Sequence, residues 1–316
     1  MKIALVCSHG GHLTEMLYLM EAFEGHDVFF ITYDSSRTRA LRYRKYLFPN
    51  FGERPLELLK NLPRIISIVL KEKPHVIVSN GAEIAIPFFY LGKIFRIKTI
   101  FIECYTRVYE PTITGKIVYP ISDLFLVLWP EMLAKYGGKA KYWGGLFKVG
   151  KLKKIIQNKK ENMIFVIVGM HYQGFERLVK KMDEIAAKIN DKVVMQIGNT
   201  SYEPKHADYF KFKDYDEIKE LIRKARLVIC QGAMSILDSL IEGTPVIAVP
   251  RLKKYGESIN DHQLIFAKRL EEMGLVKVVE DIDELENVIS ALDTGTKTIM
   301  VNRDLIKKLK KWIEKS

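Results

Sequence analysis

Cysteine is scarce in this sequence: Cys7, Cys104 and Cys230 are the only three in 316 residues. They lie far apart and no CxxC pair occurs. That argues against a disulfide framework or a structural zinc knuckle and fits a reducing compartment. Long apolar runs are missing too, and nothing approaches the ~18–20 uninterrupted apolar residues of a spanning helix. The opening MKIALVCSHGG is too short in its apolar part for a signal segment. The expected location is therefore cytoplasmic, in solution or peripherally on the cytoplasmic face of a membrane. There is no HExxH, no GxGxxG and no clustered carboxylate motif, so neither a metal nor a nicotinamide or flavin cofactor is expected. Acidic residues are outnumbered, 38 against 50 Lys plus Arg, for a formal charge of +12. A surplus of that size implies an anionic partner: nucleic acid, an anionic membrane surface or a phosphorylated substrate.

What is present is a folded chain. Hydrophobic residues at 48% and charged residues at 28% argue against disorder, and the length suits two domains. Lys2–Cys7 reads as a buried strand, Ser8-His9-Gly10-Gly11-His12 as a glycine turn, and 13–23 as a helix, the opening of a βαβ unit. Further strands are expected at 28–33, 75–79, 99–103 and 124–128, with helical stretches between them. Residues 151–162 are lysine-rich and follow Gly144, Gly145 and Gly150, which reads as a linker. The pattern then restarts. Strands are expected at 163–168, 193–197, 227–230 and 245–249, helices at 175–189, 264–273 and 282–292, and a basic amphipathic helix at 304–314. The alternation predicts two α/β, Rossmann-like domains, 1–150 and 151–316, with the last helix, 303–315, able to pack back on the first. Each would bind its ligand at the carboxyl ends of its strands, and the two would face a cleft.

Four constellations could carry chemistry. In the first, Gly10 and Gly11 let backbone approach a ligand at a helix start, and His12 has the pKa range of a general base. The second is Gly232-Ala233-Met234-Ser235 with Asp238. It reads either as a phosphate turn with a carboxylate for a ribose, or as a plain helix cap with Ser235 as N-cap. The third is Asn260-Asp261-His262-Gln263 at another helix start, preceded by the basic loop Arg251 to Gly256. The fourth is 85–98 (AIPFFYLGKIFRIK), where aromatics interleave with Lys93, Arg96 and Lys98. Together with the cluster Arg37, Arg39, Arg42, Arg44 and Lys45, it has the composition of a membrane-facing surface. The aliphatic part of 85–92 also fits a buried helix.

The residues resemble a known group. SHGGHLTEML (8–17), SNGAEIAIPFFYLGK (79–93), FIECYTRV (101–108), TGKIVYP (114–120) and LWPEMLAKYG (128–137) look like the acceptor-side subunit of the two-part UDP-sugar transferases of lipid-linked glycan synthesis. FVIVGMHYQGFERL (165–178), LVICQGAMSILDSLIEGTPVIAVPR (227–251) and KYGESINDHQLIFAKRLEEMG (254–274) look like the donor-side subunit. The two subunits look fused here. The wording is similar to bacterial PssD–PssE exopolysaccharide pairs, to the eukaryotic UDP-GlcNAc transferase pair of dolichol-linked oligosaccharides and, more distantly, to MurG enzymes.

The resemblance implies a GT-B glycosyltransferase that moves a sugar with inversion and without a metal. The donor would be a UDP-sugar, and the acceptor would be linked to polyprenyl or dolichyl (pyro)phosphate. It implies donor contacts at Gly169, Met170, Gly198, Gly232, Ala233, Met234, Ser235, Asp238, Arg251, Asp261, His262 and Gln263. Gly10, Gly11 and Arg107 would lie on the acceptor side, with His12 or Glu103 as the catalytic base. Arg251, Lys253 and Lys254 could pair with a sugar carboxylate, which favours UDP-glucuronate, with UDP-GlcNAc as the alternative donor. A non-catalytic nucleotide-sugar-binding partner is the alternative from another class. No nucleic-acid signature accompanies the charge, so nucleic acid is not an expected partner.

Overall fold

The computed structural model describes residues 1–52, 54–151, 160–169, 173–258, 261–292 and 297–315. Met170, Asn260 and most of the expected linker lie outside them. The chain divides into two compact units, residues 1–147 with 301–316, and residues 148–300.

The first unit is built on seven strands: β1 (Lys2–Val6), β2 (Asp27–Tyr33), β3 (Arg44–Phe48), β4 (Val76–Ser79), β5 (Lys98–Ile102), β6 (Leu124–Val127) and β7 (Ala140–Tyr142). Their order across the sheet is β3-β2-β1-β4-β5-β6-β7, and every pairing is parallel. Strands covered on both faces must be apolar throughout, and β4 and β6 accordingly bury all their residues. Aromatic side chains thicken the core, with Phe101 and Phe125 stacked at 5.1 Å between ring centroids.

In the second unit β8 (Phe147–Lys151) precedes β9 (Glu161–Ile167), β10 (Lys192–Gln196), β11 (Asp208–Phe210), β12 (Ala225–Cys230), β13 (Val246–Ala248), β14 (Lys277–Val278) and β15 (Lys297–Val301). Six of these form a second parallel sheet, ordered β11-β10-β9-β12-β13-β14, while β8 pairs with β15. Its core gathers Ile164, Val166, Met195, Leu227 and Ile229 from the sheet with Leu178 and Met182 from the helix Glu176–Ala186 and Phe175 from its N-cap.

Both sheets turn at one point. The connections from β1 lead outward to β2 and then back across to β4, and those from β9 run to β10 and back to β12. The carboxyl ends of β1 and β4, and of β9 and β12, are therefore the topological switch points, where a parallel sheet leaves room for a ligand.

The sequence reading missed β3, β7, β8, β11, β14 and β15. β3, β7, β11 and β14 are the edge strands of the two large sheets, and β8 and β15 form the two-stranded one. β3 (RKYLF) carries charges that masked it as a basic surface loop. The boundary differs as well. Residues 301–315 belong to the first unit, the course that the sequence reading left open for the last helix, 303–315. Asn302 fixes this return: its Nδ2 donates to the Gly145 carbonyl at 2.8 Å, and its Oδ1 caps the helix Arg303–Glu314 by accepting from Asp304 N. Gly144, at φ +108, leaves the room, since a Cβ there would sit 2.6 Å from Asn302 Nδ2. The helix buries Leu305, Ile306, Leu309 and Ile313 and packs on the turn Met20–Phe23. Trp312 is half-buried. Leu309 is fully enclosed. We expect Leu309→Ala to destabilise the first unit by about 2–5 kcal/mol, read as a lowered urea midpoint.

Candidate active site

At the first switch point β1 runs into Cys7-Ser8-His9 and the helix Gly11–Tyr18. Gly10 is the N-cap, and no side chain caps the helix, so its first amides are open. A Cβ on Gly10 would meet nothing within 4 Å. The His12 ring lies against Gly81, the turn residue after β4. At Gly81 (φ +133) a Cβ would be 2.6 Å from His12 Cε1, so only glycine admits the ring. Asn80 secures the neighbouring backbone, its Nδ2 donating to the His12 carbonyl at 2.7 Å and to Glu15 Oε2 at 3.4 Å. His12 itself is half-exposed, and its Nδ1 is buried without a hydrogen-bond partner.

Glu15 was not singled out by the sequence reading. It is buried one helical turn below His12, where its Oε1 accepts from the Cys104 thiol at 3.3 Å and from Tyr105 N at 3.2 Å. Burial, with the neighbouring Cys104, pushes its carboxyl well above the usual range, and burial pushes the Cys104 thiol up as well. The available signal was the i, i+3 spacing of His12 and Glu15 on one helix face.

The second switch point repeats the geometry. The turn after β12, Gln231-Gly232-Ala233, leads into the helix Met234–Ile241, again with no side-chain cap. Gly232 has φ +131 and Ala233 +54, while Gly81 and Ala82 have +133 and +69. An alanine at positive φ costs about 1–2 kcal/mol, and the same strain at matching points of both sheets marks a turn shape that each site requires. The kinship of Asn80-Gly81-Ala82 and Gln231-Gly232-Ala233 was readable in the sequence only once both stretches were known to follow the same strand of their sheets.

Several residues singled out from the sequence meet here. Gly169 (φ +72) lies under the Gln231 side chain, and a Cβ on Gly198 would be 2.6 Å from the Gly169 carbonyl oxygen. Gln263 covers Gly232, with its Cβ 3.6 Å from where a Gly232 Cβ would stand, and its Oε1 accepts from Arg251 N at 3.4 Å. His262 opens the helix His262–Glu272 beside it. Asp261, at that helix's N-cap, does not cap it but accepts from Lys253 N at 2.8 Å, tying down the basic loop.

Other expectations need correction. Arg251 does not reach toward a ligand. It is 1% exposed, and its guanidinium donates to Gln231 Oε1, to the Gly174 carbonyl at 2.7 Å and to the Val168 carbonyl at 3.2 Å, while lying over the Phe175 ring. Burial lowers its pKa to about 10. It therefore locks three loops together. Lys253 and Lys254 are exposed on the neighbouring turn, so of the three cations expected to meet a sugar carboxylate Arg251 alone is spent on the fold.

Glu103 is not a free carboxylate. It is fully buried and accepts from Thr112 Oγ1 at 2.9 Å, Thr112 N at 3.2 Å and the Tyr136 hydroxyl. Its work is to pin the loop that follows β5. Arg107, half-buried, closes a turn within that loop, its N–H donating to the Cys104 carbonyl at 3.0 Å.

Ser235 is not an N-cap. Ala233 holds that position, and the Ser235 carbonyl accepts from Ser239 Oγ at 2.7 Å. Asp238 is buried in the second turn of its helix, its Oδ1 accepting from Tyr215 at 2.9 Å. Two of the five cations of the basic cluster at 37–45 are paired with acids, Arg39 with Asp34 at 2.6 Å and Arg44 with Asp27 at 3.0 Å, while Arg37 donates to the neutral Thr14 Oγ1 at 2.8 Å. Two Asp-x-Asp spacings, 214–216 and 281–283, are helix caps and not cation sites, since Asp214 and Asp281 occupy N-cap positions.

Comparison with known proteins fits this geometry. Residues 163–315 match the glycosyltransferase family 28 C-terminal domain, and residues 53–146 match the family of Alg14-like oligosaccharide biosynthesis proteins. The UDP-N-acetylglucosamine–N-acetylmuramyl-(pentapeptide) pyrophosphoryl-undecaprenol N-acetylglucosamine transferase of Oceanobacillus iheyensis is 24% identical, across 89% of this chain and 80% of its own length. The UDP-N-acetylglucosamine transferase subunit ALG14 of Yarrowia lipolytica is 35% identical over 25% of this chain and 39% of its own length. Among solved structures, Acinetobacter baumannii MurG covers both chains fully at TM-score 0.64 and 15% identity. A UDP-GlcNAc 2-epimerase of Methanocaldococcus jannaschii does so at 0.71 and 14%, and these two likenesses speak for the fold alone. The chain thus has the GT-B fold, with residues 53–146 similar to Alg14-like proteins and residues 163–315 similar to the C-terminal domain of family 28 glycosyltransferases.

Proposed function

We propose that the protein transfers N-acetylglucosamine from UDP-GlcNAc to a sugar carried on a polyprenyl- or dolichyl-linked (pyro)phosphate, with inversion at the anomeric carbon. The observation that carries this reading is the pair of matching switch points, each offering an uncapped helix start beside a strained glycine–alanine turn. The donor is argued from the relatives: those of both halves are named as N-acetylglucosamine transferases, and the burial of Arg251 removes one of the three cations that a glucuronate carboxylate was expected to meet.

In this reading the amides opening Met234–Ile241, with Gly169, Gly198 and Gly232 leaving space for them, take the pyrophosphate of UDP. No divalent cation is required, because the helix dipole and backbone N–H groups stabilise the leaving diphosphate. Ser235, His262 and Gln263 lie at the helix starts nearest the donor sugar, and Asp238 with Tyr215 takes the ribose hydroxyls. The turn Gly10-Gly11 takes the acceptor phosphate. His12 accepts the proton of the acceptor hydroxyl as its oxygen bonds to C1 of the donor sugar and the C1–oxygen bond to UDP breaks.

The first unit also has a face suited to a membrane. Helices Leu62–Glu72, Ala85–Ile94 and Ile113–Val118 are successive neighbours on the sheet. The middle helix buries Phe88 and Phe89 in the core but exposes Tyr90 and Ile94, so both readings of 85–98 apply to different residues. Leu70, Ile94 and Ile113 are 51%, 69% and 78% exposed, and Lys93, Arg96 and Lys116 stand beside them. Apolar side chains ringed by cations fit an anionic lipid surface, where the acceptor resides. No helix among the described residues is long and apolar enough to cross a membrane.

Four outcomes are expected. UDP-GlcNAc raises the melting temperature and supports transfer while UDP-glucuronate does neither; the reverse order overturns the donor assignment. His12→Ala lowers kcat by at least ~10²-fold with UDP affinity retained. Glu103→Ala instead lowers the unfolding midpoint, because each hydrogen-bonding group it strands costs about 1–3 kcal/mol. In vesicle flotation, Ile94→Glu with Ile113→Glu releases the protein from anionic liposomes without changing transfer to a short, water-soluble acceptor.

A further inference from the structure

The first switch point holds a set of donor atoms, two of which, on Glu15 and Cys104, have no part in the proposed transfer. His12, Glu15 and Cys104 each contribute one, an imidazole nitrogen, a carboxylate oxygen and a sulfur, and all three lie within 4.8 Å of one another. Among the described residues this is the one such group of three. Glu15 and Cys104 are buried, and Cys104 Sγ already approaches Glu15 Oε1 to 3.3 Å. The set is held from outside as well. Asn80 ties Glu15 to the His12 backbone, Tyr105 N fixes Glu15 Oε1, and Thr106 Oγ1 lies 3.1 Å from Cys104 Sγ.

We propose that His12, Glu15 and Cys104 form a zinc-binding site with an open fourth position, and that zinc there inhibits transfer. Nitrogen, thiolate sulfur and carboxylate oxygen are the ligands zinc selects over harder cations. Zinc bonds are about 2.0–2.3 Å, so at tetrahedral angles two ligand atoms on one ion stand about 3.3–3.8 Å apart. The widest pair must therefore close by about 1 Å, a movement within the reach of side-chain rotation. Binding releases the thiol and carboxyl protons to solvent. The inhibitory part rests on the reading of His12 as the base: an imidazole whose lone pair is held by a cation cannot accept the acceptor's proton.

Cobalt(II) tests the site without relying on activity. Titrated into the whole protein, it is expected to give a thiolate-to-cobalt absorption band that saturates at one ion per chain and is displaced by zinc. Cys104→Ser should abolish the band, Glu15→Gln should weaken cobalt affinity at least ~10-fold, and Cys7→Ser should leave the band intact. Circular dichroism of each variant separates ligand loss from misfolding, and zinc-induced thermal stabilisation of the wild type gives a second readout that needs no variant. Absence of both band and stabilisation in the wild type, or a band that survives Cys104→Ser in folded protein, overturns the proposal. In transfer assays zinc should inhibit the wild type, a chelator should restore the rate, and Cys104→Ser should be at least ~10-fold less sensitive relative to its own rate. Undiminished transfer by zinc-saturated enzyme overturns the inhibitory role. A cobalt band together with no transfer from UDP-GlcNAc under any condition refutes the proposed function and leaves the zinc site standing.

Discussion

A parallel sheet wound outward from an inner strand has one place where consecutive connections leave for opposite faces, and both halves of this chain put their tightest turns there. The close packing of a loop against a glycine at that point is the constraint on which the rest depends. In the first unit the His12 ring occupies the space that a Cβ on Gly81 would fill. In the second the Gln231 side chain occupies the space over Gly169. Each glycine is followed or faced by a helix that starts with no side-chain cap, so backbone amides remain for an anion. Two unrelated-looking loops thereby become versions of one turn.

Buried polar groups hold these turns in place, and their bonding shows which residues support the chemistry without performing it. A buried charge is tolerated only when its hydrogen-bonding capacity is filled. Glu103 meets that condition through Thr112 and Tyr136, and Arg251 meets it through two carbonyls and Gln231. Both looked reactive as isolated letters because carboxylates and arginines often touch ligands. Glu15 reverses the case: an ordinary glutamate on a short helix proves to be the buried neighbour of the candidate base. The same comparison separates the basic residues. Arg39 and Arg44 are absorbed by acids, whereas Lys93, Arg96 and Lys116 stand exposed beside apolar side chains.

Much of the fold was legible because parallel strands buried on both faces must be continuous apolar runs. KIALV, VIVS, LFLV and the core of β9 announce themselves by composition alone. The edge strands did not, because a strand with one free side carries polar residues and resembles a loop. Glycine turns after the inner strands were also legible, and Gly10, Gly169, Gly198 and Gly232 all fall at the carboxyl ends of strands. The side of the molecule to which the last helix belongs was not fixed by its pattern. An amphipathic helix records that it buries a face, not which surface receives it.

By itself the sequence determined the residue types, the strand–turn–helix order and the places where backbone must run without a Cβ. Those features depend on spacing within a few neighbours. Tertiary structure alone decided which charged groups are spent on the fold and which remain for chemistry. Glu15 meets Cys104 across 89 positions and Arg251 meets Val168 across 83, and such pairings exist only after the strands have taken their order in the sheet.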